Sequence, residues 1–112
     1  MKLPNGNRAI VDIRKLRDYC LNPDNPRGAP KARVFARALG FTASKASAFR
    51  NKLVEIAAAE DAKEGELDLY GRRYTIDFDM ETDAGKARIR SGWIVRHGEV
   101  TPRLTTCYVR KK

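Results

Sequence analysis

The chain has 112 residues, 42% hydrophobic and 33% charged, with 23 Lys and Arg against 14 Asp and Glu for a net charge of +9. That length suits one domain able to bury about two-thirds of its unfolded surface, and the composition is too apolar for a disordered tail and too polar for a membrane protein. No window approaches the roughly 18 apolar residues of a transmembrane helix, and the opening MKLPNGNRAIVDIRK lacks a signal peptide's apolar stretch and cleavage site, so a cytoplasmic protein without a membrane partner is expected.

In chain order, Ala9 to Asp12 reads as a short strand. Ile13, Leu16 and Cys20 then recur at helical spacing behind Asp12 as N-cap, which predicts a first helix over about 13–21. Asn22 to Pro30 holds three prolines and a glycine and reads as a structured loop. Lys31 to Leu39 is rich in helix formers and is followed by Gly40, the pattern of a second helix with its C-terminal glycine. Phe41, Thr42 and Ser44 open a third and longest helix, on which Ala46, Phe49, Leu53 and Ile56 keep the three-four spacing to about residue 59.

From there the period changes to two. Leu67 to Leu69 reads as a strand turning through Tyr70, Gly71 and Arg72 into a second, where Tyr74, Ile76, Phe78 and Met80 alternate with Arg73, Thr75, Asp77 and Asp79. Residues 87–96 alternate again, with Ile89, Ser91, Trp93 and Val95 on one face and Arg88, Arg90, Gly92, Ile94 and Arg96 on the other. The last strand, 102–109, sets Leu104, Thr106 and Tyr108 against Arg103, Thr105 and Cys107. The expected fold class is α+β, with about three N-terminal helices packed on a C-terminal antiparallel sheet of about four strands. A single domain spans 1–112, with 110–112 expected as a disordered basic tail.

Charge is distributed in blocks. Residues 1–59 hold 12 basic against 4 acidic side chains, 60–85 hold 3 against 9, and 86–112 hold 8 against 1. Two basic blocks folded against each other would attract a polyanion, and RNA is the expected partner. Arg27, Lys31 and Arg33 cluster where the loop opens the second helix, whose free amides favour an anion. Arg88, Arg90 and Arg96 share a strand face, with Arg103 and Thr105 beside them on the next strand, and guanidinium forks on rigid strands suit phosphate. Asp77 and Asp79 share a strand face, the pattern of a solvated surface and not of a metal nuclease. Trp93 and Tyr108 read as core before stacking surfaces. Cys20 and Cys107 fit no zinc or disulfide pattern and read as buried free thiols, and His97 as a solvated loop residue. No cofactor or metal is expected.

The run LxxYxLNPxxPxGxxKAxxFxxxLGF (Leu16 to Phe41), with RxYxIDF (Arg72 to Phe78) and PRLTTCYV (Pro102 to Val109), resembles a family of small bacterial domains of unknown function that occur alone and at the C-termini of polymorphic toxins. Its layout is similar to the barnase/EndoU/colicin/RelE group of metal-independent ribonucleases. The resemblance points to Lys31, Arg103, Thr105 and Thr106 as catalytic residues and implies an immunity or antitoxin protein as a further partner. Asn25 and Pro30 stand where relatives often carry histidine. Three functions are therefore open: a toxin-like endoribonuclease working through Lys and Arg, an RNA-binding module without catalysis, or a protein-binding decoy or inhibitor.

Overall fold

The computed structural model, in which residues 1–110 are described, divides near residue 60 into helices and sheet. The first helix, α1, is α-helical over Ile13–Lys15 and widens into a π-helix over Leu16–Cys20. Asp12 caps it, accepting the Arg14 amide at 3.0 Å. The wider winding closes with the Leu21 amide on the Leu16 carbonyl at 2.8 Å and leaves Leu16 and Cys20 fully buried.

The second helix, α2, covers Ala29–Leu39 and so begins inside the stretch expected as loop. Pro30 lies in its first turn, where a missing amide hydrogen removes no helical bond. Gly40 closes α2 at a φ of 67°, with its amide on the Ala36 carbonyl. A short 3-10 turn, Ala43–Lys45, leads into α3 at Ala46–Ala59. Phe49 of α3 meets the rings of Phe35 and Phe41 at 5.3 and 5.2 Å between centroids, joining α2 to α3.

Four antiparallel strands follow in spatial order β1-β2-β3-β4: β1 Lys63–Leu67, β2 Gly71–Thr82, β3 Gly85–Arg96 and β4 Arg103–Val109. The first strand lies earlier than expected, because Asp68 Oδ1 accepts the amides of Tyr70 and Gly71 and turns the chain there. Gly71 and Arg72, expected in the turn, are already paired with Arg96 and Val95. The strand expected at Ala9 to Asp12 is reduced to a single parallel bridge between Ile10 and Arg103.

The helices cover one sheet face. Tyr74, Ile76, Phe78, Ile89, Trp93, Leu104 and Cys107 meet Leu16, Cys20, Phe35, Leu39, Phe49 and Leu53 in one core. Trp93 is fully buried, and its indole donates to Ser91 Oγ at 2.9 Å while that hydroxyl donates to the Ile76 carbonyl at 2.9 Å, so the buried polar groups are satisfied.

The alternation expected for β4 fails in its middle. Gly92 opposes Thr106 while Trp93 opposes Leu104, which leaves Thr105 as an extra residue in a β-bulge. Leu104 and Cys107 consequently both face the core. At the chain end, the Arg110 amide bonds to the Arg88 carbonyl at 2.8 Å; the rest of the basic tail, 111–112, lies outside the described residues.

Candidate nucleic-acid interface

The bulge sets Thr105 and Thr106 of the edge strand β4 against Gly92 of β3, where a Cβ would lie only 2.9 Å from Thr105 Oγ1. Lys31, in the first turn of α2, reaches this edge. Its ammonium donates to Thr106 Oγ1 at 3.2 Å and to Tyr19 Oη at 3.0 Å, and lies 4.9 and 5.9 Å from the ring centroids of Tyr19 and Tyr108. These neighbours are hydroxyls and ring faces, not carboxylates. An ammonium has three N–H donors, so two hydroxyls leave one for an anion.

A cleft of about 650 Å³ opens beside this group. Arg14, Lys15 and Tyr19 of α1 form one wall, Asn25 and Arg27 of the loop another, and Thr105 of β4 the third. Asp12 is its one carboxylate, tied to Arg14 by a 2.7 Å ion pair that lowers its pKa to about 2. Lys15 and Arg27 are exposed beside it.

The loop that carries Arg27 is fixed by side-chain bonds. Asn25 Oδ1 accepts the amides of Arg27 and Gly28 at 2.9 and 3.0 Å, and Asn25 Nδ2 donates to the Asp18 carbonyl at 3.0 Å. Gly28 packs so closely that a Cβ would sit 2.0 Å from the Tyr19 carbonyl oxygen. Asn25 is thus committed to holding the loop. His97 is remote from the cleft: its Nε2 bonds to the Asp68 carbonyl at 2.9 Å, on the side of β3 away from β4.

The structure therefore brings together Lys31, Thr105, Thr106 and Arg27 of the residues expected to act, and adds Tyr19, Arg14 and Lys15. The remaining cations lie elsewhere. Arg90 makes a bidentate pair with Asp77 at 2.8 and 2.9 Å, Arg88 bonds to Asp79 at 2.9 Å, and Arg110 also reaches Asp77 at 2.8 Å. Hydrogen bonds from Arg90 hold the Asp77 carboxyl below its usual range. Arg103, expected beside Lys31, is bonded to Glu99 at 3.1 Å. Arg33 is exposed on α2 and Arg96 at the end of β3, neither lining the cleft. Of the arginine face anticipated for β3, Arg88 and Arg90 stand opposite Asp79 and Asp77 of β2, whereas Arg96 stands opposite Gly71.

The family model for a domain of unknown function, DUF6883, matches residues 2–111. The chain belongs to this family. As a DUF6883 domain it is matched from the N-terminal segment through β4, so Tyr19, Lys31, Thr105 and Thr106 all fall inside the family's own unit. No curated protein matches the sequence. Among the described residues of this DUF6883 domain, no helix is long and apolar enough to cross a membrane.

Proposed function

We propose that the domain binds the RNA backbone at Lys31 and cleaves it without a metal ion, as a toxin-like endoribonuclease acting in the cytoplasm. The observation that carries this reading is the Lys31 ammonium, half-buried between Thr106 Oγ1 and the hydroxyl of Tyr19, whose side chain lines a cleft together with Lys15 and Arg27. In such a cleavage the ribose 2′-oxygen attacks the adjacent phosphorus and the 5′-oxygen leaves, producing a 2′,3′-cyclic phosphate and a 5′-hydroxyl end. Negative charge builds on the phosphoryl oxygens in between. Lys31 offsets that charge, the Thr105, Thr106 and Tyr19 hydroxyls hold the phosphate, and Arg27 and Lys15 hold its neighbours along the strand.

Binding without cleavage is the second reading, favoured by the commitment of Asn25 to the loop and the distance of His97, which leave no imidazole in the cleft. Incubating the protein with total RNA in EDTA separates the two. Fragments ending in cyclic phosphate are expected; intact RNA at micromolar protein overturns the cleavage reading. RNA affinity unchanged between about 50 and 200 mM salt overturns both, because phosphate contacts weaken as counterions compete.

A further inference from the structure

Directly beneath Lys31, the end of α1 and the middle of β4 bring two thiols together. Cys20 closes the π-helix and Cys107 follows Thr106 on β4; both are free, fully buried and part of one core cluster. The π-helical turn packs against β4, both thiols lie in the core between them, and each sulfur feels the other and the Lys31 charge. Each cysteine is also the chain neighbour of a Lys31 partner: Cys20 of Tyr19, Cys107 of Thr106.

We propose that Cys20 and Cys107 form a reversible dithiol modification site whose substrate is a small hydroperoxide, the disulfide pinning Tyr19 and Thr106 around Lys31. Two features make the chemistry asymmetric. The Cys107 hydrogen bond, aided by Lys31, brings the Cys20 thiol down to about 7, whereas burial pushes Cys107 up. Cys20 is therefore the attacking thiolate and Cys107 the resolving thiol. Cys20 sulfur attacks the terminal peroxide oxygen, the O–O bond breaks, and with hydrogen peroxide the products are a Cys20 sulfenic acid and hydroxide. Cys107 sulfur then attacks Cys20 sulfur and expels the hydroxyl. The two thiols together lose two protons and two electrons, and the peroxide becomes two waters. Burial slows the first step, so access depends on opening at the bulged edge strand, whose outer side is paired, among the described residues, only through the Ile10–Arg103 bridge.

The site's effect on RNA rests on the function proposed above; the formation of the bond does not. Purified protein is treated with hydrogen peroxide, quenched, and examined under denaturing conditions by thiol titration, intact mass and non-reducing electrophoresis. The expected result is loss of both titratable thiols with a mass lower by two hydrogens, a monomeric band, and full reversal by dithiothreitol. Cys107→Ser and Cys20→Ser each abolish the two-hydrogen loss, and a cyclic-dione probe labels Cys20 in Cys107→Ser as the trapped sulfenic acid. Two thiols that still titrate after peroxide has oxidised free cysteine in the same tube overturn the proposal, as does a disulfide found only between chains. RNA affinity is then compared for reduced and oxidised protein: a several-fold change that Cys107→Ser lacks places the pair in control of the Lys31 site. Equal affinities remove that control. If neither form binds RNA, it is the function proposed above that fails, while the thiol result stands by itself.

Discussion

Two arginine- and lysine-bearing regions of this domain differ in what surrounds the charge. On the outer face of the sheet, Arg88 and Arg90 of β3 sit opposite Asp79 and Asp77 of β2 and spend their donors on them. At the β4 edge, Lys31 spends two donors on hydroxyls, and Lys15 and Arg27 line the neighbouring cleft. Guanidinium groups on a rigid strand are well built for phosphate, yet a carboxylate already in place is a competitor that a passing phosphate must displace. The weaker-looking group, an ammonium between two tyrosines and a threonine, has no carboxylate partner among the described residues. Where cations are plentiful, partners decide the site.

That contrast can be broken by substitution. Lys31→Ala is expected to have the largest effect, a loss of about 10²-fold or more in the rate of RNA cleavage, since one charge-stabilising donor in a transition state carries that much. Its thermal unfolding should stay close to that of the parent, as a half-buried side chain bonded to two hydroxyls is removed without leaving a buried charge. Arg90→Ala measured in the same assay should lose far less; equal losses would erase the distinction between the two regions.

Gly28→Ala comes next. The new methyl group meets the Tyr19 carbonyl oxygen at 2.0 Å, so α1 and the loop must separate. Overpacking of this kind costs about 1–3 kcal/mol, readable as a lower denaturant midpoint, and the displaced Tyr19 should weaken RNA binding along with it.

Asp77→Asn sharpens the comparison from the other side. It releases Arg90 and Arg110 on the outer face, and a second, strongly salt-dependent mode of RNA binding should appear while the Lys31 mode is unchanged. The same variant tests the acid limb of stability. Because Arg90 depresses the folded-state pKa of Asp77, the carboxylate's contribution is fully present above its unfolded value near 3.8 and is lost as pH falls through the lower folded value. Urea midpoints should therefore drop as pH falls below 3.8 in the parent, and less in Asp77→Asn. The smallest effect is expected for Arg88→Ala: its pair with Asp79 is exposed, and loss of such a pair costs roughly 0.2–1 kcal/mol at most.

Much of this arrangement was legible in the residues, and the rest was hidden for definable reasons. Phe49, Leu53 and Ile56 announced α3 because tertiary packing follows helical spacing there without exception. Helix formers from Lys31 onward mark the second helix two residues late, because proline reads as a breaker although the first turn is where a helix accepts it. The hairpin register follows from the turn: centring the β2–β3 turn on Asp83 and Ala84 sets Asp77 against Arg90, Asp79 against Arg88 and Glu81 against Lys86. The bulge at Thr105 had no signal of its own, since strict alternation through 102–109 looks equally good on paper, yet it decides which threonines reach Lys31. Tyr19 belongs to the LxxYxL run, but only the fold brings its hydroxyl to an ammonium 12 positions away.

The bond between Lys31 and Thr106 spans 75 positions in the chain. Most of what α2, α3 and the β2–β3 hairpin need is local and can form early, whereas closing so long a loop is entropically slow and rewarded only once the final strand docks. A chain being synthesised thus carries Tyr19, Lys31 and Arg27 well before it carries the strand that gives them a floor. Under the proposed function, a nascent or clipped chain lacking 103–109 would hold the cations without the assembled grip, so the cell making it meets the finished site only after synthesis of that strand.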